Sequence, residues 1–258
     1  MLEKCDIHIT DHCNLNCRSC THFAPLAPEF FLDVDDFARD IKRLSELTCA
    51  QLGQLFLLGG ESLLHKEIID FFPVSRNAFP ETNIIIITNG IILLDMEPRF
   101  WKACKRYDIH IWVSKYDLSL DFSAMSERAK EYGVSLGFTS YTRTKDDEKY
   151  WGKWPIDPEG KQYYIDSFAH CNIRNCVALK EGKLYTCCTL ANIEHFNRQF
   201  NTNLEISEYD YIDLYKIDSH EELLSAIVKP IPFCRYCKTR EFQAGVWAPS
   251  KKDINEWI

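Results

Sequence analysis

Along the first 140 residues the hydrophobic pattern is of two kinds. Strand-like runs, "KCDIHIT" (4–10), "LGQLFLLG" (52–59), "TNIIIIT" (82–88), "DIHIWVS" (108–114) and "VSLGFTS" (134–140), alternate with helical ones. Between them, "VDDFARDIKRLSEL" (34–47), "KEIIDFFPVSRNAF" (66–79), "EPRFWKACKRY" (97–107) and "FSAMSERAKEYG" (122–133) place apolar residues at helical spacing. Strand and helix alternating through short links predict an α/β fold, a parallel sheet with helices outside. Right-handed crossovers would curl it into a barrel or partial barrel.

The alternation also assigns faces. In the first strand Cys5, Ile7 and Ile9 oppose Asp6, His8 and Thr10, and in the fourth Ile109, Ile111 and Val113 oppose His110, Trp112 and Ser114. In the fifth, Ser135, Gly137, Thr139, Tyr141 and Arg143 share one parity. The apolar faces are expected against the helices and the polar faces around a lumen, where each polar group must be paired or bind something.

From 141 to 168 the pattern breaks into "YTRTKDDEKYWGKWPIDPEGKQYY", a connection that reads as a lid or a plain surface loop. Beyond it, "CVALKEGKLYTCC" (176–188) reads as a hairpin turning at Glu181-Gly182, "NIEHFNRQFN" and "SHEELLSAIV" as helices, and "KKDINEWI" as a short helix. The chain divides into 1–168 and a smaller α+β part, 169–258.

With 258 residues, 46% of them hydrophobic, the chain can bury a large core. The net charge of −8, without a lysine/arginine block, argues against nucleic acid. No apolar run is long enough for a bilayer. The N-terminal "MLEKCDIHIT" lacks the pattern of a signal peptide. A cytoplasmic location is expected.

Twelve cysteines in a reducing compartment change the picture. Nine are clustered: Cys13/Cys17/Cys20, then Cys171/Cys176/Cys187/Cys188, then Cys234/Cys237. Cys5, Cys49 and Cys104 are scattered and read as small hydrophobes. Three thiolates in one loop can hold three irons of a cubane and leave the fourth open. Zinc, with His12 or His22 as the fourth ligand, competes for this loop.

The C-x3-C-x2-C run after the first strand, "LLGGES" after the second (Gly59, Gly60, Glu61) and "ITNGI" after the third (Thr88, Asn89, Gly90) together resemble the radical S-adenosylmethionine (SAM) superfamily over roughly residues 4 to 143. That resemblance implies a partial (β/α)6-type barrel. It also implies a 4Fe–4S cluster on Cys13, Cys17 and Cys20, with SAM on the open iron. Gly59, Gly60, Glu61, Asn89, Ser114 and Arg143 become candidate SAM contacts. The implied chemistry is reductive cleavage of SAM to a 5′-deoxyadenosyl radical that abstracts hydrogen from a substrate. The family usually carries an aromatic before the third cysteine. Here Ser19 stands there, with Phe23 or His22 as replacement.

The second set, Cys171, Gly182, Cys187 and then "CRYC", resembles the twitch form of the SPASM auxiliary-cluster domain. It implies a second 4Fe–4S cluster on Cys171, Cys187, Cys234 and Cys237. Cys176 could replace Cys171, Cys188 could replace Cys187, and a four-cysteine zinc site fits the same spacing. The layout is similar to that of a radical SAM aminocyclitol dehydrogenase. The expectation is therefore an oxidoreductase acting on a carbohydrate-like small molecule, fed by a flavodoxin or ferredoxin. Arg143, Tyr141, His8 and His65 are the candidates for base or substrate ligand. Peptide modification and epimerisation, the latter with Cys104, Cys176 or Cys188 as hydrogen donor, are the alternatives. A plain iron–sulfur electron carrier would need neither the GGE run nor a polar lumen.

Overall fold

The computed structural model describes residues 1–116, 118–140, 150–174 and 176–258. Tyr141 and Arg143 lie outside the described residues. The anticipated alternation is present as β1 (Leu2–Thr10), α1 (Val34–Thr48), β2 (Leu52–Gly59), α2 (Phe71–Ala78), β3 (Asn83–Thr88), α3 (Pro98–Arg106), β4 (Ile109–Lys115), α4 (Phe122–Tyr132) and β5 (Leu136–Ser140). All five strands are parallel, in the spatial order β5-β4-β3-β2-β1. Asp33 starts α1 by accepting the Asp35 and Asp36 backbone N–H groups.

The rest of the chain comprises β6 (Tyr150–Lys153), α5 (Tyr164–Ala169), β7 (Ala178–Lys180), β8 (Lys183–Tyr185), α6 (Cys188–Ala191), α7 (Ile193–Phe200), β9 (Tyr211–Asp213), α8 (His220–Ile227) and β10 (Gln243–Val246). The hairpin turns at Glu181 and Gly182, with φ of 51° and 69°, the left-handed pair that a two-residue turn needs. Its first strand, β7, pairs parallel to β1, and β8 and β9 follow antiparallel, giving one mostly parallel eight-stranded sheet. A separate ribbon joins β6 to β10. The C-terminal "KKDINEWI" forms only a single 3-10 turn, Ile254–Glu256. Among the described residues, no helix is long and apolar enough to cross a membrane.

Cys5, Ile7, Ile9, Ile109, Ile111 and Val113 pack against the helices in the main core, as the alternation predicts. The lumen face is less polar than expected. Phe56 and Leu58 of β2 and Ile85 of β3 form a small apolar cluster there with Ile87 and Trp112. β2 and β3 are apolar on both faces, as strands buried on both sides are. A second core holds Phe23, Phe196, Phe233, Tyr236 and Trp257 under the C-terminal part.

Candidate functional site

The chain leaves β1 at Thr10 and coils into the three-cysteine loop. Two residues of the loop, Ser19 and Phe23, take left-handed φ values of 55° and 53°. The GGE run lies directly against it. A Cβ on Gly59 would sit 1.9 Å from the Thr10 carbonyl oxygen, and one on Gly60 2.1 Å from that of His12. The glycines permit this approach, and the Gly60 and Glu61 N–H groups donate to Thr10 and His12 at 2.9 and 3.0 Å.

Cys13, Cys17 and Cys20 line a cavity of about 210 Å³ together with Gly59, Gly60, Asn89 and Ser114. Burial and the neighbouring sulfurs push the Cys17 thiol up to about 12, and burial takes Cys13 to about 12 as well. A ligand that needs thiolates must therefore displace protons. Glu61 is buried beneath this surface, and burial raises its carboxyl pKa. Asn89 lines the cavity with its amide already engaged: Nδ2 donates to Asn14 Oδ1 at 2.7 Å, and Oδ1 accepts the Ile91 N–H at 3.0 Å. Among the described residues, Ser114 Oγ accepts a long bond, 3.5 Å, from Thr139.

Of the two replacements for the missing aromatic, His22 faces the cavity, and burial pushes it down to about 3. Phe23 is fully buried against Phe196 and Trp257 instead. Ser19 ties the loop to the C-terminus, its hydroxyl donating to the Glu256 carbonyl. Trp257 Nε1 donates to the Cys20 carbonyl at 3.0 Å, and Ala248 and Ser250 exchange backbone bonds with Arg18 and Asn16 at 2.9 and 2.7 Å. The C-terminal segment thus straps the cysteine loop. It brings Trp247 to the cavity, opposite Trp154 and beside Tyr116, three residues that no sequence motif marks. The cue was weak, a lone tryptophan in "GVWAPS" more than 200 residues downstream.

Behind the loop, Asp11 bridges two histidines. Oδ1 meets His8 Nδ1 at 3.2 Å, Oδ2 meets His195 Nε2 at 3.1 Å, and Lys180 Nζ is 3.6 Å away. Burial alone would raise Asp11, but the bonds from His195 and His8 hold it well below the usual carboxylate range. Asp11, Glu194 and His195 place ligating atoms within 4.8 Å of one another. The Lys180 ammonium, 2.7 Å from Glu194 Oε1, supplies the cation there. Among the described residues His8 Nε2 is buried without a partner, and its ring meets His22 edge-on at 4.6 Å. His65 is a different case. Nε2 contacts the Leu32 carbonyl at 3.0 Å and Nδ1 the Glu67 N–H at 3.1 Å, with Phe31 and Phe71 on its ring. Both nitrogens are occupied and it does not line the cavity, so the structure makes it a packing residue.

Cys171, Cys187, Cys234 and Cys237 come together from three segments. Cys187 feels the charges of Cys171, Cys234 and Cys176, and Cys237 those of Cys187, Cys234 and Cys171. Residues 155–167 cradle the last pair: Asp157 N–H donates to the Tyr236 carbonyl, and Ser167 Oγ to the Cys237 carbonyl, both at 2.8 Å. Cys176 lies beside the same group, near Cys171, Cys187 and Cys188, with its thiol donating to Asp6 Oδ2 at 3.2 Å. Among the described residues, no three thiols converge within 4.8 Å of one another. Zinc at about 2.3 Å from each of four tetrahedral sulfurs needs them about 3.8 Å apart.

No protein-family model and no curated protein sequence matches the chain. Solved structures do. BtrN in complex with AdoMet and 2-DOIA is 15% identical, with 92% of this chain and 93% of that one covered, at a TM-score of 0.56. BtrN in an open conformation is 14% identical over 92% of both chains, at 0.50. AnSMEcpe with bound AdoMet is 11% identical over 92% of this chain and 82% of that one, at 0.50. Over nearly its whole length, the chain shares the fold of BtrN and anSMEcpe, in the layout of BtrN.

Proposed function

We propose that the protein is a radical SAM oxidoreductase that oxidises a carbohydrate-like alcohol, such as a sugar or aminocyclitol. Residues 1–168 would bind SAM and a 4Fe–4S cluster on Cys13, Cys17 and Cys20. Residues 169–258 would hold an auxiliary 4Fe–4S cluster on Cys171, Cys187, Cys234 and Cys237. The observation that carries this reading is the convergence of the three-thiol loop, the GGE edge and the Asn89 turn on one cavity. When bound, these groups would supply an electron, a 5′-deoxyadenosyl radical and an acceptor for the electron that the oxidised carbon gives up.

The chain's own part is binding, orientation and proton transfer. Three cysteines leave one corner of a cubane for SAM. Gly59 and Gly60 let the β2 end lie against the cysteine loop, where it would help hold SAM, and Asn89 fixes the loop through Asn14. The Ser114 hydroxyl keeps its proton for a ligand. His8 does not line the cavity but packs on His22, which does; oriented at Nδ1 by Asp11 and unpaired at Nε2 among the described residues, it is our candidate for the base that takes the proton of the oxidised alcohol. A flavodoxin or ferredoxin is the proposed reductant. The test is to reduce the anaerobically purified protein with SAM and measure methionine and 5′-deoxyadenosine. Their formation by wild type and loss in Cys17→Ala supports the reading. Equal cleavage by both would end it.

One observation favours a second reading, redox-neutral epimerisation. The half-buried Cys176 thiol sits beside Asp6 on the polar face of β1, where it could return hydrogen to a substrate radical. Solvent deuterium retained in a product at the substrate's oxidation level, and lost in Cys176→Ala, would favour this reading over oxidation.

A further inference from the structure

The structure assigns a role to two aromatic side chains that the reaction does not require. We propose that the Trp247 indole N–H and the Tyr116 hydroxyl donate hydrogen bonds to the Cys17 thiolate when it ligates a cluster, raising that cluster's reduction potential. The proposal rests on the reading of Cys13, Cys17 and Cys20 as cluster ligands.

The three sulfurs are served differently. Cys13 Sγ receives the Leu15 N–H at 3.3 Å and Asn89 Nδ2 at 3.7 Å, and Cys20 receives backbone N–H groups of its own loop. The groups placed to donate to Cys17 come from outside the loop: Trp247 from the C-terminal strap and Tyr116 from just beyond β4, both on the cavity that Cys17 lines. The strap's register delivers the indole. Cys17 bridges to Pro249, and Arg18 N–H bonds the Ala248 carbonyl at 2.9 Å. Both rings line the cavity with Cys17, their centroids 6.1 Å apart.

Trp247 Nε1 is buried and has no hydrogen-bond partner of good geometry among the described residues. A buried donor left unpaired is costly, and native folds rarely keep one without a purpose. A neutral thiol accepts poorly, whereas a thiolate accepts as a charged group does. Ligation of Cys17 therefore completes the indole's bonding. Donors on a ligating sulfur draw off negative charge and favour the reduced cluster.

The experiment uses Trp247→Phe, Tyr116→Phe and the double variant of the full chain, purified without oxygen, with iron and sulfide counted first. Midpoint potentials are read by EPR, on the signal that changes when SAM is added. Each variant should keep its iron and lose about tenfold in the equilibrium constant for one-electron reduction, about 59 mV. The double variant should lose about a hundredfold, and the auxiliary signal should not move. An unchanged midpoint at full iron content, or an equal shift in both signals, overturns the proposal. If Trp247→Phe sheds its cluster, Tyr116→Phe carries the test alone. If wild type holds no iron on the three-cysteine loop, the ligand reading fails, and the iron count shows that before any potential is measured.

Discussion

The Glu61 carboxylate ties the end of β2 to the turn at Asn89: Oε2 accepts the Asn89 backbone N–H at 2.7 Å, and Oε1 accepts the Thr88 hydroxyl at 2.7 Å. The Leu63 N–H adds a third bond at 3.0 Å. In this chain the acidic residue of the GGE run is an internal brace. Glu61→Ala would strand three buried donors and cost about 3 kcal/mol. Urea unfolding of the purified variant checks this. A loss under about 0.5 kcal/mol, the range of ordinary surface changes, would mean that the turn stands without its brace.

Gly60→Ala tests the close approach behind the cavity. The new methyl would meet the His12 backbone 2.1 Å away, and backbone cannot rotate aside. A loss of about 1–3 kcal/mol is expected, together with selective loss of iron from the N-terminal loop. Unchanged iron and stability would show that the loop has room to shift.

The Asp11 cluster joins the loop after β1 to Lys180 and His195 of the C-terminal part. Asp11→Ala would leave Lys180 to Glu194 alone and deprive both histidines of their acceptor. About 3 kcal/mol of destabilisation follows from breaking such a buried set. A cycle with His195→Ala measures the coupling, which should be well above zero for groups 3.1 Å apart.

Removal of iron should leave protonated, slow thiols. Cys13 and Cys17 lie up at about 12 in the metal-free protein, and only the thiolate alkylates. Their labelling by iodoacetamide should therefore rise about tenfold per pH unit through the alkaline range, while the exposed Cys49 labels first. Peptide mapping reads this out. A plateau near neutral pH at Cys13 or Cys17 would contradict the burial argument.

Much of this architecture was legible in the sequence because it is local. The strand-like runs gave the five parallel strands, and Glu181-Gly182 gave the hairpin. The motif spacing brought Cys13, Cys17, Cys20, Gly59, Gly60, Asn89 and Ser114 to one cavity. The failures are non-local or degenerate. Runs such as "LFLL" and "IIII" are apolar on both faces, so periodicity could not say that Phe56 and Ile85 would line the lumen. The β6–β10 ribbon joins two four-residue strands about 90 positions apart, with no alternation to announce either. His65 looked chemical by residue type, but its role is fixed by the Leu32 carbonyl and the Glu67 N–H, partners that composition does not reveal. Tyr141 and Arg143 stay proposals from the sequence alone.

The most direct test of the account is a count of iron and sulfide in the anaerobically purified protein, set against a Cys13/Cys17/Cys20→Ala triple variant. Two cubanes predict about eight irons in the wild type and about four in the variant. A variant that keeps all the iron of the wild type, or a wild type that carries zinc in its place, would contradict it.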